Sequence, residues 1–314
     1  RAPRGTADLL KAVPGLQVMS GTGETGADVT VRGLPQVANS SFRYISLQED
    51  GLPAFEPPGL LFAFPDAMVR LDETVARVEA VRGGSAAVFG SSTPGGIVNV
   101  ISRTGGPVLA GRLRSVYGDQ GMGRLDGSVG GPLIGDWRFN VGGYYRYDRG
   151  LRDPGFTSNQ GGQIRANLTR DRESSRLMIH AKFLNDRSLW FQGMPIRNFR
   201  DPQPIPGGPK IGEGTTFARE RLTMTIPDAY NPGSMITRDM NGNLTRYASV
   251  GVNWSRQFDS GWEVRVRTKA MQAENETNLM IDVADPMPIS QFGAPGLPES
   301  VPRQVRFVHT DEIV

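Results

Sequence analysis

From about residue 109 onward, apolar and polar residues alternate with a period of two, the pattern of strands with two unlike faces. In Trp137–Tyr147 one face carries Trp137, Phe139, Val141, Gly143, Tyr145 and Tyr147; the other carries Arg138, Asn140, Gly142, Tyr144 and Arg146. Gln163–Thr169 sets Ile164, Ala166 and Leu168 against Gln163, Arg165 and Asn167. Leu177, Ile179, Ala181 and Phe183 oppose Arg176, His180 and Lys182, while Trp262, Val264 and Val266 oppose Glu263, Arg265 and Arg267. With Leu109–Tyr117, Met122–Gly131 and Arg246–Gln257, the pattern predicts seven strands of roughly ten residues.

About ten residues is the length a tilted strand needs to cross a bilayer, but strands of a soluble sandwich alternate too. Connection lengths favour the membrane. Those at 131–136, 170–174 and 257–261 are tight, whereas 148–160 and 186–245 are long. Barrels of the outer membrane have short periplasmic turns and long external loops in this way; the tight connection at 118–121 is the exception. Aromatics also sit at strand ends. Trp137 and Trp262 follow tight turns, and Tyr117, Tyr145 and Tyr147 lie near the opposite ends, where interfacial girdles belong.

Before residue 106 the texture is that of a glycine-rich α+β domain. Thr6–Val13 predicts a helix with Thr6 as N-cap and Pro14-Gly15 as the stop. Asp28–Arg32 and Arg43–Leu47 alternate like strands, and Asp72–Val75 reads as one helical turn leading into a strand at Arg77–Val81. Ser85 is placed to cap a short helix running through Val88. The expected organisation is therefore an N-terminal domain over 1–106 and a strand-built wall over 107–314, with a long external loop at about 186–245.

Composition and charge remove several alternatives. A net charge of +3 on 314 residues gives no basic face for nucleic acid. Lys11, Lys182, Lys210 and Lys269 are the only lysines, so arginine carries nearly all the positive charge. The absence of cysteine excludes disulfides, thiolate metal sites and cysteine nucleophiles. Apolar runs such as Gly59–Phe64 fall far short of the roughly 20 residues a membrane helix requires. The chain begins at Arg1 rather than Met and reads as a mature or truncated segment with no visible signal peptide.

Six blocks occur in a telling order: Ala7-Asp-Leu-Leu with Val13-Pro-Gly15, then Val31-Arg-Gly33, then Asp50-Gly-Leu-Pro53, then RVEAVRGGSAAVFG from Arg77 to Gly90, then PGGIVNVIS from Pro94 to Ser102. In order and near-family spacing they resemble the plug domain of TonB-dependent outer-membrane receptors, and the strands that follow resemble the start of that family's barrel. The resemblance implies an α+β plug domain followed by antiparallel transmembrane β-barrel strands. The barrel would be partial, about seven strands of an expected 22. An open sheet of seven strands would leave edge groups unpaired in lipid at several kcal/mol each. The family's TonB box, an N-terminal segment that engages TonB, is absent from these residues.

What the resemblance implies about function follows family lines. A scarce nutrient, by default a ferric siderophore, would be captured outside the cell and transported with energy from TonB and its inner-membrane complex. Partners would be TonB, outer-membrane lipid and a small-molecule ligand, with no resident cofactor. Arg32 and Arg82 match two plug arginines that pair with barrel-wall glutamates; arginine suits this because it stays charged and forks onto carboxylates. Ligand contacts are expected on external loops at Glu24, at Gln36 and Asn39, and at Phe55, Glu56, Phe62 and Phe64. Those aromatics could stack on a ligand ring or pack their loop onto the wall. The long loop, with Trp190, Phe191, Arg197, Phe199 and Arg200, would also lie outside.

Other chemistry finds no support. Gly21–Gly26 spells GxGxxG, but the next segment reads as a strand, not the helix whose N-terminus must face a pyrophosphate. The two histidines, His180 and His309, have no cysteine or paired histidine nearby for a metal site. No enzyme is expected. The alternatives are a passive porin or surface adhesin with a structural plug, or a non-functional truncated fragment.

Overall fold

The computed structural model describes residues 5–20, 23–31, 34, 42, 44–55, 64–83, 86, 90, 93–191, 196–198, 200–204, 210, 213, 219, 222–228, 230–282 and 305–313.

The N-terminal unit contains α1 (Thr6–Leu10), β1 (Leu16–Met19), β2 (Asp28–Val31), β3 (Ile45–Glu49), β4 (Leu52–Pro53), α2 (Pro65–Met68), β5 (Val75–Arg82) and β6 (Gly96–Ser102). β1 and β2 form an antiparallel hairpin. The other four strands form a sheet ordered β4-β3-β6-β5, in which only β3 and β6 run parallel. Leu10, Val29, Ile45, Leu47, Val69, Val98 and Val100 build the core that joins helix, hairpin and sheet.

Two local expectations are corrected. Gly5, not Thr6, occupies the N-cap of α1. Thr6 is inside the helix and fully buried, and its hydroxyl donates to the Val69 carbonyl at 2.9 Å. A buried hydroxyl gains more from this distant acceptor than from capping its own helix. Asp72–Val75 is a turn rather than a helical turn: Asp72 Oδ1 accepts from the Thr74 amide at 2.8 Å, an Asx arrangement. The helix lies earlier, at Pro65–Met68, with proline at its start. Four residues are too few for helical periodicity to register. Ser85 falls outside the described residues.

The wall begins with β7 (Ala110–Gly118), β8 (Met122–Pro132), β9 (Trp137–Asp148), β10 (Asn159–Arg172) and β11 (Ser175–Ser188). Two small hairpins follow in the long connection: β12 (Ile196–Arg197) with β13 (Gln203–Pro204), and β14 (Thr223–Pro227) with β15 (Met235–Asp239). The wall resumes with β16 (Asn243–Gln257), β17 (Glu263–Asp282) and β18 (Val305–Ile313). One antiparallel sheet of eight strands results, ordered β18-β17-β16-β11-β10-β9-β8-β7.

The sheet exceeds the expected seven strands by β18, and β17 extends to 20 residues. β18 pairs with Glu274–Asp282 of β17, a stretch that opens with Glu274, Asn275, Glu276 and Thr277 and carries no apolar alternation to read.

The two faces of this sheet reverse the usual rule for proteins in water. The polar face is covered by the N-terminal unit, leaving Arg146 2% and Asp186 1% exposed. The apolar face is bare: Leu113 is 75%, Ile164 61% and Phe183 54% exposed. A contiguous apolar face of this extent requires a non-aqueous neighbour, and lipid on the outside of a filled barrel is the arrangement that supplies it. No helix among the described residues is long and apolar enough to cross a membrane.

Candidate functional site

Two buried ionic clusters and an aromatic cover join the N-terminal unit to the wall. The first cluster centres on Glu49, at the end of β3. Lys182 of β11 donates to both Glu49 oxygens at 2.8 Å and to the Met68 carbonyl at 2.7 Å. Arg165 of β10 approaches Glu49 at 3.3 Å and donates to Ser102 Oγ at 2.9 Å. Burial by itself would raise the Glu49 pKa, but the charges of Lys182 and Arg165 overcome it and bring the value down to about 2. Beside this cluster Phe55 packs with Met68, Leu184, Tyr247 and Ala273, so an apolar contact adjoins the ionic one.

The second cluster centres on Asp186 of β11. Arg70 donates to Asp186 Oδ2 at 2.8 Å, and Arg146 of β9 grips the same carboxylate at 3.1 and 2.7 Å. Arg146 also pairs with Glu24, in the connection between β1 and β2. Burial disfavours the Arg70 charge, yet Asp186 raises its pKa above the ordinary arginine value. Gln163 of β10 donates to Asp72 Oδ2 at 2.6 Å and to the Arg70 carbonyl at 3.0 Å. Arg124 of β8 forks onto Asp126 at 2.8 and 2.6 Å and donates to the Leu71 carbonyl at 2.6 Å. Asp66, in α2, accepts from the Ala27 amide at 2.9 Å. Its burial pushes its pKa up to about 6, against the opposing pull of that amide and of Arg70.

The cover comes from the segment after β11. The Trp190 indole N–H donates to Thr25 Oγ1 at 2.9 Å, and Thr25 bonds in turn to Ser188 at 2.9 Å. The Trp190 ring lies 5.3 Å from that of Phe64. Gly26 has φ +73°, and a Cβ there would stand 2.5 Å from the Trp190 ring, so both backbone and space demand glycine. A cavity of about 160 Å³ remains beneath, between Gly23, Glu24, Asp148, Asn159 and Phe191.

The expected residues fall into three groups. Glu24 reaches the wall through Arg146, and Phe55 and Phe64 are buried in the contacts just described. Arg82 is exposed on β5 and donates to the Pro14 carbonyl at 3.4 Å. Arg32, Gln36, Asn39, Glu56 and Phe62 lie outside the described residues, as does Phe199. Of the long-loop residues, Trp190 and Phe191 are buried while Arg197 and Arg200 are exposed. Pattern reading passed over the residues that do most of the joining: Glu49, Lys182, Arg70, Asp186 and Arg146. Glu49, Lys182, Asp186 and Arg146 had as their only signal a place on a strand, and Arg70 a place in a connection, neither of which reveals what lies across from it.

Comparison with known proteins agrees with this architecture. Residues 1–97 match the family described as TonB-dependent Receptor Plug Domain. The Vitamin B12 transporter BtuB of Photobacterium profundum is 28% identical over 127 residues, which is 40% of this chain and 20% of that protein. The siderophore receptor PirA from Acinetobacter baumannii superposes with a TM-score of 0.58 at 14% identity, over 99% of this chain and 41% of that one. The pyoverdine receptor FpvA from Pseudomonas aeruginosa PAO1 does so with a TM-score of 0.61 at 15% identity, over 89% and 36%. The chain thus spans a fifth of the curated relative and about two-fifths of these structures. Residues 1–97 match the plug domain of TonB-dependent receptors, and the chain as a whole shares the fold of outer-membrane receptors of known structure.

Proposed function

We propose that the intact protein captures a scarce nutrient outside the cell and carries it inward through the barrel, with energy from TonB and its inner-membrane complex. The observation that carries this reading is the plug held against the polar wall face by buried ion pairs, Glu49–Lys182 and Arg70–Asp186. A lumen filled in this way serves gated transport, whereas a passive pore requires it open. A plug so anchored gives way only to work done on it, and TonB pulling on an N-terminal segment is the family's means of doing that work.

A ferric siderophore is the proposed substrate. Support comes from neighbours such as the PirA siderophore receptor and FpvA bound to pyoverdine. Cobalamin is the second reading, favoured by the BtuB relative. We assign 1–106 to the plug and 107–314 to the wall, and give Arg32 and Arg82 the task of locking the plug to wall carboxylates. Ligand contact is assigned to Glu24, Gln36, Asn39, Glu56 and Phe62. Phe55 and Phe64 take the packing role, given their burial.

The test is uptake by cells carrying the full-length protein, with and without functional TonB, over a panel of ferric siderophores, cobalamin and glycans. Saturable uptake of one compound that disappears without TonB supports the proposal and names the cargo. Uptake of many small solutes regardless of TonB would sink it.

A further inference from the structure

The outward face of the wall has its own organisation at the tight-turn end. Strand register aligns Trp137, Arg170, Leu177, Trp254 and Val266 in one row across β9, β10, β11, β16 and β17. The next row toward the turns aligns Arg172, Ser175, Arg256 and Val264. Neighbouring strands lie about 4.8 Å apart, so Arg172 and Arg256 flank Ser175 at roughly 10 Å from one another, within reach of a shared group.

Ion pairing at this rim is incomplete. Arg170 and Arg172 share the single carboxylate of Asp136, at 3.7 and 3.3 Å. Among the described residues no carboxylate pairs with Arg256, whose guanidinium lies 5.0 Å from the Phe258 ring centre. Glu173 and Asp259 occupy the adjoining turns without pairing with any of the three. At the opposite end, outward-facing Arg149 and Arg246 are matched one to one by Asp153 and Glu274, each at 2.9 Å. Arg172 and Arg256 therefore sit just beyond the row that holds the half-exposed Trp137 and Trp254, where the apolar band gives way to headgroups. Short turns mark that end as periplasmic, and the leaflet it meets is the phospholipid leaflet.

We propose that Arg172 and Arg256, with Ser175 between them and Trp254 on the acyl side, bind the phosphate of an anionic glycerophospholipid in the periplasmic leaflet. Each guanidinium can fork onto phosphate oxygens. The serine hydroxyl can donate to a third, and the indole lies at the glycerol level with its body among the chains.

The test uses the full-length receptor, delipidated in detergent and titrated with phosphatidylglycerol while intact complexes are counted by native mass spectrometry. Only protein with the heat-modifiable migration of a closed barrel is analysed. R172Q/R256Q should retain the lipid about thirtyfold more weakly than wild type, since juxtamembrane arginines contribute about 1 kcal/mol each. R172K/R256K, which keeps the charge, should lose less, and R149Q/R246Q at the other rim should match wild type. Undiminished retention by R172Q/R256Q overturns the proposal, as does an equal loss in R149Q/R246Q, which would reveal a general charge effect. If the double variant does not fold, R256Q takes its place, because it breaks no ion pair; unchanged retention by R256Q would overturn the proposal equally.

Discussion

Lys182 and Glu49 come from different parts of the chain, a wall strand and a plug strand, and each is almost fully enclosed by the other's surroundings. Removing one partner leaves the other charged in a site without water, which costs about 3–5 kcal/mol. Lys182→Met should therefore lower the urea midpoint of plug release in the detergent-solubilised receptor, followed by hydrogen exchange of β3. Lys182→Met combined with Glu49→Gln, which keeps an acceptor beside Arg165, should recover part of the loss; no recovery would refute the pairing.

Acid should act through the same residue. The folded pKa of Glu49 is about 2 against an ordinary 4.5. Its contribution of about 3 kcal/mol is complete above pH 4.5 and is lost as pH falls through 2. Asp66 behaves in the opposite sense, with a folded value of about 6 against 3.8. Here stability is complete below pH 3.8 and declines as pH rises through 6, because ionisation is disfavoured in the buried site. Asp66→Asn should abolish that decline between about pH 4 and 7 in the same hydrogen-exchange assay, while leaving the acid limb set by Glu49.

Among elements, the connection after β11 is the one whose role pattern reading left most open. A proline-rich external loop carries no periodicity, yet Trp190 and Phe191 are as buried as core residues. Trp190 rests on Gly26 and bonds to Thr25, so the loop is tied to the plug as well as to the wall. Gly26→Ala forces a Cβ into the indole ring at a φ that alanine avoids. It should detach this cover at a cost of about 1–3 kcal/mol, detectable as faster protease cleavage in the connection between β11 and β16. Cleavage at the wild-type rate would show that the cover is held elsewhere.

At the scale of the whole molecule, the chain has two interiors: the plug core, and the polar seam between plug and wall. Its outer surface is the apolar part. A charge placed in the middle of that band should be costly, while the same change in an external loop should be tolerated. Ile164→Arg or Phe183→Arg should lower folded-barrel stability by about 2–4 kcal/mol, read as loss of heat-modifiable migration. Leu151→Arg, in the connection after β9, should have little effect. Equal tolerance at all three positions would remove the basis for placing this face in lipid.

How much of this was legible depends on the range of the interaction concerned. Faces and strand positions were readable because alternation is a local property: Ile164 and Leu168 point away from Arg165 and Asn167 whatever surrounds them. Glycines of the plug blocks were readable for a similar reason: Gly83 and Gly96 take positive φ, and turns and close approaches constrain residue type at single positions. Thr6 and Asp72 misled because each side chain chose between a local and a distant partner, and only the fold decided which was in reach. β18 went unread because its partner stretch shows no alternation and backbone pairing leaves no mark on composition. The pairing of Glu49 with Lys182, and of Asp186 with Arg70 and Arg146, was likewise decided by tertiary structure. Glu49 and Lys182, like Arg70 and Asp186, stand more than a hundred positions apart and meet only through the packing of plug on wall. No spacing within the chain encodes which charge will find which.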